Sequence, residues 1–65
     1  MTLIQAQQRY INRVNAAHPG HFNRVHRSAR AQLWQWAIDR GFDTEGANAI
    51  CRDAKDVAAL ERNEE

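Results

Sequence analysis

Residues 24–42 read RVHRSARAQLWQWAIDRGF, and the reading of this stretch decides the fold. Ala29, Leu33, Trp36, Ala37 and Arg40 recur at helical spacing along one side of a cylinder. Trp34 and Ile38 carry the apolar surface further round it. An apolar arc that wide is more than one neighbouring helix can cover, so this helix is expected to touch at least two others. Leu33, Trp34, Trp36, Ile38 and Phe42 are therefore expected to form the structural hub, or the seam of an oligomer. The helix is predicted to begin between Asn23 and Ser28, either of which can act as N-cap, and to run to Arg40. Gly41 fits the left-handed position that ends a helix, and Phe42 fits the next, where an apolar side chain folds back on the last turn.

Working outward, a first helix is predicted from about Thr2 to Ala17. Thr2 and Gln5 have the T-x-x-Q spacing of a capping box, in which each side chain satisfies the other residue's backbone N–H. Leu3, Ile4, Tyr10, Ile11 and Val14 make its apolar stripe and are expected in the core. His18-Pro19-Gly20 ends this helix, because proline lacks a donor and glycine frees the turn. Residues 18–23 are expected to be the connection. A third helix should start at Asp43 or Thr44, with Ala47, Ile50, Ala54 and Val57 on its inner face and Cys51, Ala58 and Leu60 beside them. These side chains are small, which favours close approach to the bulky residues of the central helix. The class is thus all-α: three helices, as a helical hairpin or a small three-helix bundle. Residues 1–60 should form a single domain, and residues 61–65 a frayed acidic tail.

Sixty-five residues lie near the lower limit for folding on one core. Residues 1–38 hold five arginines and no acid, while residues 39–65 hold all eight acids against Arg40, Arg52, Lys55 and Arg62. Eight of the nine cations are arginine, whose planar guanidinium makes bidentate contacts and suits interfaces. Arg24, Arg27 and Arg30 are neighbours at three-residue spacing and form the expected contact patch. The single cysteine, Cys51, allows no internal disulfide, and the opening MTLIQAQQRY does not read as a signal peptide. The expected location is the cytoplasm, the host's if the chain is phage-encoded. No apolar run reaches the ~18 residues of a membrane span.

The residues with metal-like chemistry are His18, His21, His26 and Cys51. They lack the paired spacing that brings four zinc ligands together, so no metal and no cofactor is expected. Cys51 sits among small residues and reads as packing rather than as a nucleophile. So short a chain also leaves little room for a substrate pocket of some hundreds of Å³, and no enzyme activity is expected.

Three resemblances follow from these residues. Ala37, Gly41, Phe42, Ala47 and Ile50 have a spacing that resembles the helix-turn-helix of DNA-binding repressors. That resemblance covers residues 33–52 and implies that Thr44, Glu45, Asn48, Ala49 and Arg52 face a DNA groove. Arg40 and the acids Asp43 and Glu45 depart from its pattern. The run GFDTEGANAI followed by Asp56-Val57 is similar to the Gly-Phe turn and following helix of ubiquitin-associated domains. This implies only that such a turn can build a protein-binding module. As a whole, and chiefly over residues 24–42, the chain resembles the small early-region accessory proteins of lambda-like temperate bacteriophages. That implies a regulatory or host-interacting role without catalysis.

The expected function is a non-enzymatic helical interaction protein, a phage or mobile-element regulator that binds a host or phage protein. Aromatic and aliphatic side chains of the first two helices would bury against the partner, steered by Arg24, Arg27 and Arg30, and a homodimer is expected. The alternative is a small DNA-binding regulator using Thr44, Asn48 and Arg52, or using phosphate contacts from the basic half.

Overall fold

A computed structural model describes residues 1–63. These form three α-helices, α1 (Leu3–Ala16), α2 (Phe22–Asp39) and α3 (Thr44–Asn63), with a single 3₁₀ turn at Pro19–His21 between the first two. The helices pack as a small three-helix bundle of 35 × 21 × 20 Å, in which each helix contacts both of the others.

The boundaries follow from local chemistry. The Gln5 N–H donates to the Thr2 hydroxyl at 3.2 Å and the Thr2 N–H donates to the Gln5 side-chain carbonyl at 2.9 Å, so the capping box forms. At the far end of α2, Gly41 takes a positive φ of 99°. Its N–H donates to Ile38 C=O at 3.0 Å, and the Phe42 N–H donates to Ala37 C=O at 3.1 Å. This pair of bonds is the Schellman arrangement that the Gly-Phe sequence predicts. Asp43 then caps α3, its carboxylate accepting the Gly46 N–H at 2.7 Å.

Three boundaries differ from expectation. α2 begins at Phe22, ahead of Asn23 and Ser28, because the 3₁₀ turn leads straight into it and neither residue is needed as a cap. His18 stabilises that turn, its ring accepting the Gly20 N–H at 3.1 Å. Residues 61–63, expected in a frayed tail, continue α3 instead. Glu61 accepts a bond from the Asn15 amide at 3.4 Å, and the Arg62 guanidinium lies 4.3 Å from the Phe22 ring centroid, so both are tied to other helices. Residues 64 and 65 of that tail lie outside the described residues.

Side-chain contacts fix the topology. Phe22 meets Arg62, Arg30 meets Cys51, and Trp34 meets Asn48. Advancing along α2 thus means retreating along α3, and the two run antiparallel over their whole length. Gln7 donates to Ile50 C=O and Asn15 donates to Glu61, so α1 and α3 run parallel. The core is Ala6, Tyr10, Ile11 and Val14 of α1, Ala29, Leu33 and Ala37 of α2, and Ala47, Ile50, Cys51, Ala54 and Ala58 of α3. Small side chains on α3 let both neighbours approach closely. Leu3 and Ile4 leave the expected stripe, and Ile4 is 76% exposed. They sit in the first turn of α1, on the flank where the bundle ends and little chain remains to cover them.

Candidate binding surfaces

The central helix sends its two tryptophans to opposite neighbours. Trp34 turns toward α3, where its indole N–H donates to the Asn48 side-chain oxygen at 3.1 Å. The Arg30 guanidinium reaches the same oxygen at 3.4 Å. Trp36 turns toward α1, and the Arg40 guanidinium lies 5.1 Å from its ring centroid while donating to Met1 C=O at 2.6 Å. The expected hub is therefore narrower than the sequence suggests. Leu33 is buried, Trp34, Trp36 and Ile38 are half-buried against the core, and Phe42 is exposed rather than part of it. Phe42 instead lies beside Gly46 in the first turn of α3, where a methyl on that glycine would come within 3.4 Å of the ring.

Arg24, Arg27 and Arg30 are all exposed. The helix-turn-helix spacing over residues 33–52 does not produce the crossing of roughly 90–120° that such a unit needs. The Schellman turn folds α3 back along α2 as an antiparallel hairpin. Thr44, Asn48 and Arg52 do share one face of α3, at i, i+4 and i+8. That face borders α2, and Asn48 is engaged with Trp34 and Arg30.

At the opposite end of the hairpin a stack crosses all three helices. Arg62 covers Phe22, whose ring lies parallel to that of His26 at 5.8 Å. His26 meets Tyr10 edge-on at 5.7 Å, and its Nδ1 hydrogen-bonds the Tyr10 hydroxyl. Burial lowers the His26 pKa below its ordinary value, and the positive charges of Lys55, Arg30 and Arg62 push it the same way. A neutral His26 can accept the tyrosine proton at Nδ1 while carrying its own on Nε2. Burial raises the Tyr10 pKa, chiefly by desolvation, which keeps the donor protonated. Burial likewise raises the pKa of Cys51, whose thiol donates to Arg30 C=O at 3.7 Å.

Among the described residues, two clefts stand out on the surface. One, of about 160 Å³, lies between α1 and α2 and is walled by Arg9, Tyr10, Arg13, Gln32, Leu33 and Trp36, with Met1 at its mouth. Arg13 is anchored there, donating to Gln32 at 2.7 Å and to Ser28 at 3.4 Å. The other, of about 500 Å³, lies at the Arg62 end and is lined by Val14, Asn15, Ala17, Pro19 and Phe22. Among the described residues, neither cleft is lined by a carboxylate, thiol or imidazole. His18 and His21 approach each other at the turn, ring centroids 5.7 Å apart. Among the described residues no three His, Cys, Asp or Glu side chains converge as a metal site.

Two features escape sequence reasoning. The exposed aliphatic side chains lie on α1 and α3 rather than on α1 and α2: Ile4 at 76%, Leu60 at 63% and Val57 at 43% exposure. Lys55 also joins Asn48 and Arg52 on the face of α3 that borders α2. The helical period gives that shared face, but which neighbour it borders depends on the parallel register of α1 and α3 and the antiparallel register of α2 and α3, which no local pattern encodes. Among the described residues no helix is long and apolar enough to cross a membrane. The chain matches no protein-family model, no curated protein and no solved structure.

Proposed function

We propose that this chain is a non-enzymatic interaction module that acts by binding another protein. The observation that carries the reading is the exposure of large aliphatic side chains on α1 and α3, Ile4 toward one end of the bundle and Val57 and Leu60 toward the other. A small bundle gains nothing in its own stability from leaving such side chains in water, whereas a partner that covers them gains about 25 cal/mol per Å². Gln8, Asn12 and Asp53 lie between the two ends. The makeup of the two clefts, rich in arginine and apolar groups, also favours binding over catalysis. The first partner to test is a second copy of the chain, in a reducing compartment such as the cytoplasm, where the Cys51 thiol persists.

Sedimentation over a concentration series, on the native chain and on the double variant Ile4→Ser/Leu60→Ser, tests the assembly. Helical circular dichroism confirms that the variant is folded. Affinity capture with both chains then tests other partners. The expected result is an assembly or a captured protein that the native chain holds and the folded double variant loses. Equal retention by the two chains overturns the reading.

A further inference from the structure

The hairpin register carries a second surface, distinct from the exposed aliphatics. With Trp34 opposite Asn48 and Arg30 opposite Cys51, the same antiparallel step sets Arg27 opposite Lys55 and Arg30 beside Arg52. The helical period agrees. Asn48, Arg52 and Lys55 fall at i, i+4 and i+7 on one face of α3, and Arg27, Arg30 and Trp34 fall at i, i+3 and i+7 on the facing side of α2. Arg30 reaches across to Asn48, and Lys55 and Arg30 both act on His26, so the two sides of the seam are close in space. All four cations are exposed.

Cations thus face cations across a helix seam. Like charges that face each other at short range destabilise a fold, because each raises the potential at the other. No acid occurs on α2 before Asp39, so none alternates with the arginines there. Asp56 flanks Arg52 only at the outer edge of the row, and Glu45 lies beyond its lower end. At 1.5 Å rise per residue and 8–10 Å between helix axes, the four side chains make a patch about 10 Å across. An anion lying along the seam would relieve the repulsion between them.

We infer that the Arg27/Arg30/Arg52/Lys55 seam is a binding site for the phosphodiester backbone of a nucleic acid. Three observations favour phosphate over an acidic peptide. Three of the four cations are arginine, whose fork matches phosphate oxygens. The side chains beside them, Ala31 and Ala59, offer no apolar anchor of the kind that forms the centre of protein interfaces. Trp34, at the lower end, is pinned by its bond to Asn48 and half-buried. The contact is made by the outside of a hairpin and needs no helix in a groove, so it follows the backbone and not the base sequence.

The experiment is fluorescence anisotropy with labelled duplex DNA, labelled single-stranded DNA and a labelled polyglutamate peptide, from low to physiological salt. The expected result is binding to one or both nucleic acids that weakens with salt by about 0.9 log units per phosphate per tenfold of salt for a duplex and about 0.7 for a single strand. The two nucleic-acid arms show which backbone is preferred. Arg27→Glu and Arg52→Glu should each weaken binding at least tenfold, and Arg9→Glu, on the α1–α2 side, about threefold or less. Helical circular dichroism and thermal melts of the Arg27→Glu and Arg52→Glu variants, at each salt concentration used, should show them folded, which separates lost binding from lost folding. Absence of nucleic-acid binding at low salt, equal binding of polyglutamate, or full affinity in the Arg27→Glu and Arg52→Glu variants overturns the inference.

Discussion

On its α2 side, α3 sets Arg52 and Lys55 against Arg30 and Arg27. Away from α2 it leaves Val57 and Leu60 exposed, with Asp53 beside them and no cation. The same helix therefore borders one seam that repels itself and carries one flank that is left uncovered. Both are tolerable because α3 is held by the face between them, where Ala47, Cys51, Ala54 and Ala58 are buried. Small side chains bring the helices close, and close packing supplies the cohesion that the flanks do not. A helix anchored in this way can present two different surfaces to two different kinds of partner.

The comparison breaks first in the core. Leu33 is the largest aliphatic side chain that α2 buries, and Leu33→Ala should cost about 2–5 kcal/mol in thermal or urea unfolding, enough to unfold much of a domain this small. A loss under about 1 kcal/mol would mean that the flanks hold α3 after all. Acidity should have the next largest effect. The folded state lowers the pKa of His26, so its contribution to stability is complete above the ordinary value of 6.5 and is lost as pH falls from there through the folded value. Urea unfolding between pH 7.5 and 5.5 should show declining stability, with a shallower decline in His26→Gln. Equal slopes would remove the stacked end of the bundle from the account. The smallest effects separate the two flanks directly. Asn48→Ala removes the oxygen shared by Trp34 and Arg30 and should cost about 0.5–1.5 kcal/mol. Asn15→Ala, on the α1 side, should stay within about 0.5 kcal/mol. Equal costs would show that both seams contribute alike to stability.

Local chemistry made much of this fold legible in the sequence. The Thr2/Gln5 box, the Gly41-Phe42 stop and the Asp43 cap each depend on residues within five positions of one another. The spacing of Ala47, Ile50 and Ala54 also gives part of the inner face of α3, but Val57 of the same series and Leu60 beside it are exposed, because the period does not show where a neighbouring helix stops covering the face. The exposure of Ile4 is not legible, because periodicity shows which side of a helix is apolar, not whether a neighbour extends far enough to cover it. The backbone position of Phe42 is that of a residue that folds inward, whereas its ring lies exposed beside Gly46. The start of α2 is hidden because Pro19, whose chemistry signals a helix stop, here builds a 3₁₀ turn that leads into the helix. The Arg27/Lys55 and Arg30/Arg52 oppositions join residues more than 20 positions apart. They become visible only once the hairpin register is known.

The turn at residues 40–43 has a kinetic consequence. It joins α2 to α3 through four residues, one of them a glycine already suited to a positive φ, so closing this hairpin costs little chain entropy. Contacts that close over short loops form early, which makes the α2–α3 hairpin a natural early unit of assembly. The opposed cations lie on that hairpin and are brought together as it closes.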